Sequence, residues 1–222
     1  MSRKLLGAKT QLMVLAMKRG DTDDLDDYAI VGSRKQALEI MEKANFAPRR
    51  NGKTIMNEGD FVRGIITAVG PNSINLNVGG VDTSVQKWAL TFQPIPDLRD
   101  AYAAGQELLV QIQKISENNG HYSLAVSGKA TELEKAKLST KKLAPGTICQ
   151  GTVTSIRVEN GSVKIWCWLN IYKRPARAEF IQGKALYQQV RHGSTVQLSV
   201  IEEAASGMIK CRVIGTNSPN GI

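Results

Sequence analysis

The chain has 222 residues, 29 Lys and Arg against 20 Asp and Glu, and a formal net charge of +9. At 42% hydrophobic and 22% charged it can build real cores, which excludes a globally disordered chain. No apolar run approaches the ~20 residues of a membrane span, and the basic start Met1–Gly7 lacks the long apolar stretch and small-residue cleavage site of a signal peptide. A soluble, cytoplasmic protein is expected.

The charge is unevenly placed. Residues 1–58 carry 11 basic and 8 acidic side chains, residues 59–128 carry 4 and 6, and residues 129–222 carry 14 and 6. The excess therefore lies in the C-terminal part, and a polyanion is its simplest partner. Three widely spaced cysteines (Cys149, Cys167, Cys211) and two histidines form neither a zinc framework nor a disulfide pattern. No metal or cofactor is expected.

In chain order, Gln11–Lys18 is apolar with a period that fits helix or strand. Five aspartates follow between Asp21 and Asp27. As a calcium loop this segment would hold Asp26 where Gly is needed and Gly32 where Glu is needed, so a solvated acidic loop is favoured. Tyr28–Val31 reads as a short strand. Ser33 with Gln36 three residues on is a capping-box signature and opens a helix over Ser33–Ala44. A breaker-rich basic linker runs from Pro48 to Lys53.

From Gly59 the texture becomes short strands: Phe61–Val69, Ser73–Val78, Val81–Trp88, Leu108–Ile115 and Tyr122–Val126, with a short helix over Asp97–Ala104. Turns are marked by Gly70-Pro71, Gly79-Gly80 and Asn118-Asn119-Gly120; Gly79-Gly80 suits positive φ. Five strands with a helix after the third is the order of an OB-type barrel. Lys129–Lys142 reads as a helical connector ended by Pro145-Gly146. The five-strand texture then recurs over Thr147–Val158, Val163–Leu169, Arg177–Phe180, Thr195–Glu202 and Met208–Ile214, at an offset of about 87 residues from aligning Gly64 with Gly151. The expected fold is mainly β: a small α/β N-terminal unit (1–56), a first OB-type barrel (57–128), a helical linker (129–144), a second barrel (145–216) and a tail (217–222).

Gly59-Asp60-Phe61-Val62-Arg63-Gly64-Ile65-Ile66, followed by Val78-Gly79-Gly80-Val81, Gly105-Gln106-Glu107-Leu108 and Gly120-His121-Tyr122-Ser123-Leu124, resembles the RNA-binding OB-fold repeat of ribosomal protein S-one. A second match covers about Pro145–Gly215 through Pro145-Gly146-Thr147 and His192-Gly193-Ser194-Thr195. The resemblance implies single-stranded RNA laid across strands two and three, on two aromatics and a histidine. At the matching positions the first repeat has Asn72, Asn75 and Gln86 and is net acidic. A structural or protein-contacting role is expected for it.

The second repeat reads differently by strand alternation alone. Val163, Ile165, Cys167 and Leu169 share one face, which suits a core. Lys164, Trp166, Trp168 and Asn170 share the other, with Tyr172, Lys173, Arg174, Arg177 and Phe180 nearby. Indoles stack bases and flanking cations hold phosphates. The competing reading is that the tryptophans pack under another element, and a one-residue register slip would turn them into the core. The expected nucleic-acid-binding residues are Lys164, Trp166, Trp168, Tyr172, Lys173, Arg174, Arg177 and Phe180.

His121 and His192 sit in turns without a nearby nucleophile. There is no G-x-S-x-G, Walker loop or Rossmann fingerprint, and the carboxylates are scattered. The expectation is a non-enzymatic single-stranded nucleic-acid-binding protein, RNA preferred. The alternatives are an adaptor on the ribosome or RNA polymerase, and a single-stranded DNA-binding protein of a replication or mobile-element system.

Overall fold

The computed structural model describes residues 11–19, 28–138, 142–159, 162–180 and 190–217. The run with an ambiguous period is a strand, β1 (Met13–Arg19), because it pairs antiparallel with β2 (Tyr28–Ser33). The acidic cluster between them lies outside the described residues. Helix α1 (Arg34–Phe46) starts where the sequence marks it: Ser33 Oγ accepts the backbone N–H of Gln36 at 3.2 Å. The chain divides into two units, one of Met1–Lys87 with Asp97–Ser127 and one of Trp88–Pro96 with Gly128–Ile222.

In the first unit, β3 (Phe61–Val69), β4 (Ser73–Val78), β5 (Val81–Gln86), β6 (Glu107–Asn118) and β7 (His121–Ser127) form a curled sheet in the order β5-β4-β3-β6-β7. Alternation places Ile74, Leu76 and Val78 inside and Ser73, Asn75 and Asn77 outside. The edge strands β5 and β7 are tied by Thr83 Oγ1, which donates to the Leu124 carbonyl at 2.7 Å. Helix α1 covers the β4–β5 turn at very short range. A Cβ on Gly80, whose φ is +102°, would lie 2.5 Å from the backbone nitrogen of Glu42.

Two local expectations are corrected. Strand β5 ends at Gln86, and Lys87–Leu90 is one helical turn, α2. The helix expected over Asp97–Ala104 is a single 3₁₀ turn, Leu98–Asp100. Its task is small: it seats the fully buried Leu98, whose N–H donates to the Pro71 carbonyl at 3.1 Å. Asp97 caps it, and hydrogen bonds from Arg99 hold the Asp97 carboxyl at about 2.

In the second unit, α3 (Gly128–Lys137) is shorter than the expected connector; Lys142 is outside it and 139–141 are not described. It leads to β8 (Ile148–Glu159), β9 (Ser162–Leu169), β10 (Arg174–Phe180), β11 (Thr195–Glu203) and β12 (Ile209–Asn217). These close into a barrel in the order β10-β12-β11-β8-β9, with β10 and β12 parallel. β10 begins at Arg174, three residues before the expected start at Arg177. The interior holds Val153, Ile165, Cys167, Leu169, Ala176, Ala178, Leu198 and Ile209 among others, with all three cysteines as free thiols. Burial pushes the Cys167 thiol up to about 12.

The two five-stranded units share several backbone hydrogen bonds, although only the second is closed by a strand ladder, β10 with β12. Gly105 N–H donates to the Ile66 carbonyl and Ile66 N–H to the Gln106 carbonyl, at 2.8 and 2.9 Å; Gly193, Val153 and Ser194 do the same at 2.8 and 2.9 Å. Gly59 and Ile112 are bonded as Gly146 and Val200 are, each glycine donating at 2.8 Å. Gly64 and Gly151 mark the crowded barrel interior: an added Cβ would come within 2.8 Å of Val78 Cγ2 and 3.0 Å of Leu198 Cδ1, respectively. Both barrels also carry a β-bulge on their first strand, between Ile66 and Ala68 and between Val153 and Ser155. This topology is the OB type.

Candidate nucleic-acid interface

Strands two and three of the second barrel are β9 and β10, and β8 flanks β9 on its other side. Their register builds a three-strand outer face. Lys164 lies opposite Arg157 and Glu179, Trp166 opposite Ser155 and Arg177, and Trp168 opposite Thr152 and Pro175. Ile165, Cys167 and Leu169 point into the core, so Lys164, Trp166 and Trp168 share the outer face. Exposure then separates them. Trp166 and Lys164 are half-buried, whereas Trp168 is only 8% exposed and forms part of the barrel wall.

The cations differ as sharply. Arg177 stands over the Trp166 ring from β10, 5.5 Å from its centroid, and Arg157 does so from β8 at 5.4 Å. Lys164 Nζ lies 4.0 Å from Glu179. Lys173 is exposed in the β9–β10 turn with φ +52°, its N–H donating to the Leu169 carbonyl at 2.8 Å. Arg174 belongs elsewhere. It is 4% exposed and faces the end of the barrel, where its guanidinium donates to both oxygens of Glu203 at 2.7 and 3.2 Å and to the Gly207 carbonyl at 3.3 Å. These bonds hold the Glu203 carboxyl below its ordinary range. Tyr172 and Phe180 are half-buried and pack against the barrel core.

The structure therefore gathers Lys164, Trp166 and Arg177 on one face, with Lys173 at its turn, and commits Trp168 and Arg174 to the barrel's own packing. Sequence reading missed Arg157. Counting alternately from the buried Val153 puts residue 157 inside, but the bulge between Val153 and Ser155 turns Arg157 outward.

A further cation lies within electrostatic reach of Arg157. Lys129 of α3 places Nζ 4.3 Å over the Phe92 ring. Burial lowers its pKa, and the nearby Arg157 lowers it further against the opposing pull of Glu132. The Glu132 carboxylate is engaged by Thr91 Oγ1 at 2.5 Å and the Phe92 N–H at 2.7 Å. Among the described residues there is no cluster of three metal-ligating side chains and no helix long and apolar enough to cross a membrane.

The corresponding face of the first barrel is built on the same lattice with different side chains. Matching Ile66 to Val153 through the repeated bonds sets Asn75 at the place of Trp166, Ser73 at that of Lys164, and Ser84 at that of Arg177. Asn77 takes the place of Trp168 and donates to Asp82 at 2.6 Å, while Asp82 lies 3.6 Å from Arg34.

No protein-family model matches the chain. It is 24% identical over 164 residues, 74% of its length, to the small ribosomal subunit protein bS1 of Streptococcus pneumoniae, and covers 40% of that protein. Solved structures with partial likeness include a Pyrococcus horikoshii a/eIF2alpha-aDim2p-rRNA complex (16% identity, TM-score 0.29, 37% of this chain and 57% of that one). Another is a Streptococcus pneumoniae multidomain protein with nucleic acid binding domains (10% identity, TM-score 0.25, 69% of this chain and 50% of that one). The chain is thus a protein of two OB-type barrels with weak homology to ribosomal protein bS1.

Proposed function

We propose that the chain is a non-enzymatic, single-stranded nucleic-acid-binding protein, RNA preferred, and that its second barrel carries the ligand across β8, β9 and β10. The observation that supports this best is the gathering of Arg157, Lys164 and Arg177 around the half-buried Trp166, where the first barrel offers only Asn75 and neutral neighbours. Lys173 extends the basic track at the turn. Trp168 and Arg174 support the face through the barrel's packing, and Tyr172 and Phe180 anchor its edge to the core. The weak homology to a ribosomal protein favours RNA.

The test is a titration of the full chain with single-stranded RNA at low and moderate salt, with the matching DNA as competitor. Salt-sensitive binding in which DNA competes poorly is the expected outcome. Equal competition would favour the single-stranded DNA reading.

A second reading, an adaptor on the ribosome or RNA polymerase, is favoured by the β1–β2 ribbon. Val14, Met17 and Ile30 are 55–61% exposed there, and apolar side chains gathered in the open suit a protein partner. Absence of RNA and DNA binding at low salt, with capture of the chain by one of those assemblies, would select it.

A further inference from the structure

We infer that Trp166 is a positioning residue that holds Arg157 and Arg177 as a two-armed clamp for the phosphodiester backbone, and that it does not serve as a platform for a base. This rests on the nucleic-acid-binding reading of the β8–β10 face. Arg157 and Arg177 come from the two strands that flank β9, and both guanidinium carbons lie over the indole, at 5.4 and 5.5 Å. A base seeking an indole face would have to displace one of them. Its neighbour Trp168 is sealed into the wall, so the face has no second indole to continue a stack. Base-stacking surfaces work through open aromatic faces, one per base; this one presents cations fixed by an aromatic.

The surrounding charge agrees. Arg157, Lys164 and Arg177 come from the adjacent strands β8, β9 and β10. Among the described residues, Glu179 is the carboxylate opposite Lys164, 4.0 Å from it. Arg157 is exposed and Arg177 is half-buried with its Nε covered, and a planar guanidinium fork suits phosphate oxygens. The selected chemistry is a chain of phosphodiesters read by charge and spacing, with base identity unread at this point.

The experiment compares the full chain's affinity for a single-stranded oligoribonucleotide and for the same sugar-phosphate chain without bases. The clamp predicts affinities within about threefold of each other and equal salt slopes. It also predicts that Trp166→Leu weakens both strands by a similar factor, because the arms lose their support. Loss of about fivefold or more on removing the bases, the scale of even one stacked base, would overturn the clamp and leave the binding reading intact. Failure of both strands to bind at low salt would overturn the binding reading itself. Arg157→Met with Arg177→Met gives an independent check that keeps the indole. It should lower the slope of log affinity against log salt by about 1.4, two phosphate contacts on a single strand, and an unchanged slope would contradict the clamp.

Discussion

The two barrels share a backbone and differ in what they show to solvent. Their matching loop hydrogen bonds, first-strand bulges and crowded glycines recur at an offset of 87–88 residues, as Gly59 to Gly146 and Gly105 to Gly193 illustrate. Inward positions are constrained because each must fill a small barrel. Outward positions are free, and there Ser73, Asn75 and Ser84 stand where Lys164, Trp166 and Arg177 stand in the second barrel. The lesson is that the same strands fix their inward residues by packing and leave their outward residues free to differ.

The largest expected effect breaks the second barrel alone. Arg174→Ala removes one partner of a pair whose side chains are 5% and 15% exposed. Glu203 is only partly buried, so the loss is that of a charge-assisted hydrogen bond, about 1.5–3 kcal/mol, and the urea midpoint of the second barrel's unfolding should fall, as followed by a signal from Trp166 and Trp168. A midpoint unchanged from the parent protein would mean that the ion pair is solvated.

Acid probes the same pair. The Glu203 carboxyl is held below its ordinary 4.5, first by hydrogen bonds from Arg174. The linked stability is present above the unfolded value and is lost as pH falls through the lower folded value. Stability should therefore drop on acidification below about 4.5, and the Arg174→Ala protein should show a shallower dependence over that window. Identical pH profiles for parent and variant would assign the acid sensitivity elsewhere.

The smallest expected effect comes from dressing the first barrel as the second. Ser73→Lys, Asn75→Trp and Ser84→Arg together should add about 1.4 to the salt slope, two phosphate contacts on a single strand. An unaltered slope would show that the first barrel's face is closed to the ligand for reasons beyond its side-chain chemistry.

Much of the fold was legible because alternation and glycine punctuation are local. Strand Ser73–Val78 and the turn after it, where Gly79 and Gly80 have positive φ, match the sequence reading. The placement of Trp166 on the outer face followed from period two alone. What escaped was non-local. Arg174 reads as a surface cation until Glu203, 29 residues away, folds against it. Trp168 shares its strand face with Trp166, yet the folded protein covers it, and no spacing rule reports coverage. Arg157 was hidden by a bulge that changes the parity of β8. The long α3 connector and the Asp97–Ala104 helix were overextended because helix-forming residues continue past the point where packing stops rewarding a helix.

The central claim is that the second barrel's outer face, and not the first's, neutralises the nucleic-acid backbone. The most direct measurement is the slope of log affinity for single-stranded RNA against log salt in three proteins: the parent, Arg157→Gln/Lys164→Gln/Arg177→Gln, and Asn75→Ala/Asn77→Ala/Ser84→Ala. The second should lose about 2 in slope, three phosphate contacts on a single strand, and the third should match the parent. A parental slope in the second protein, or a reduced slope in the third, would contradict the account.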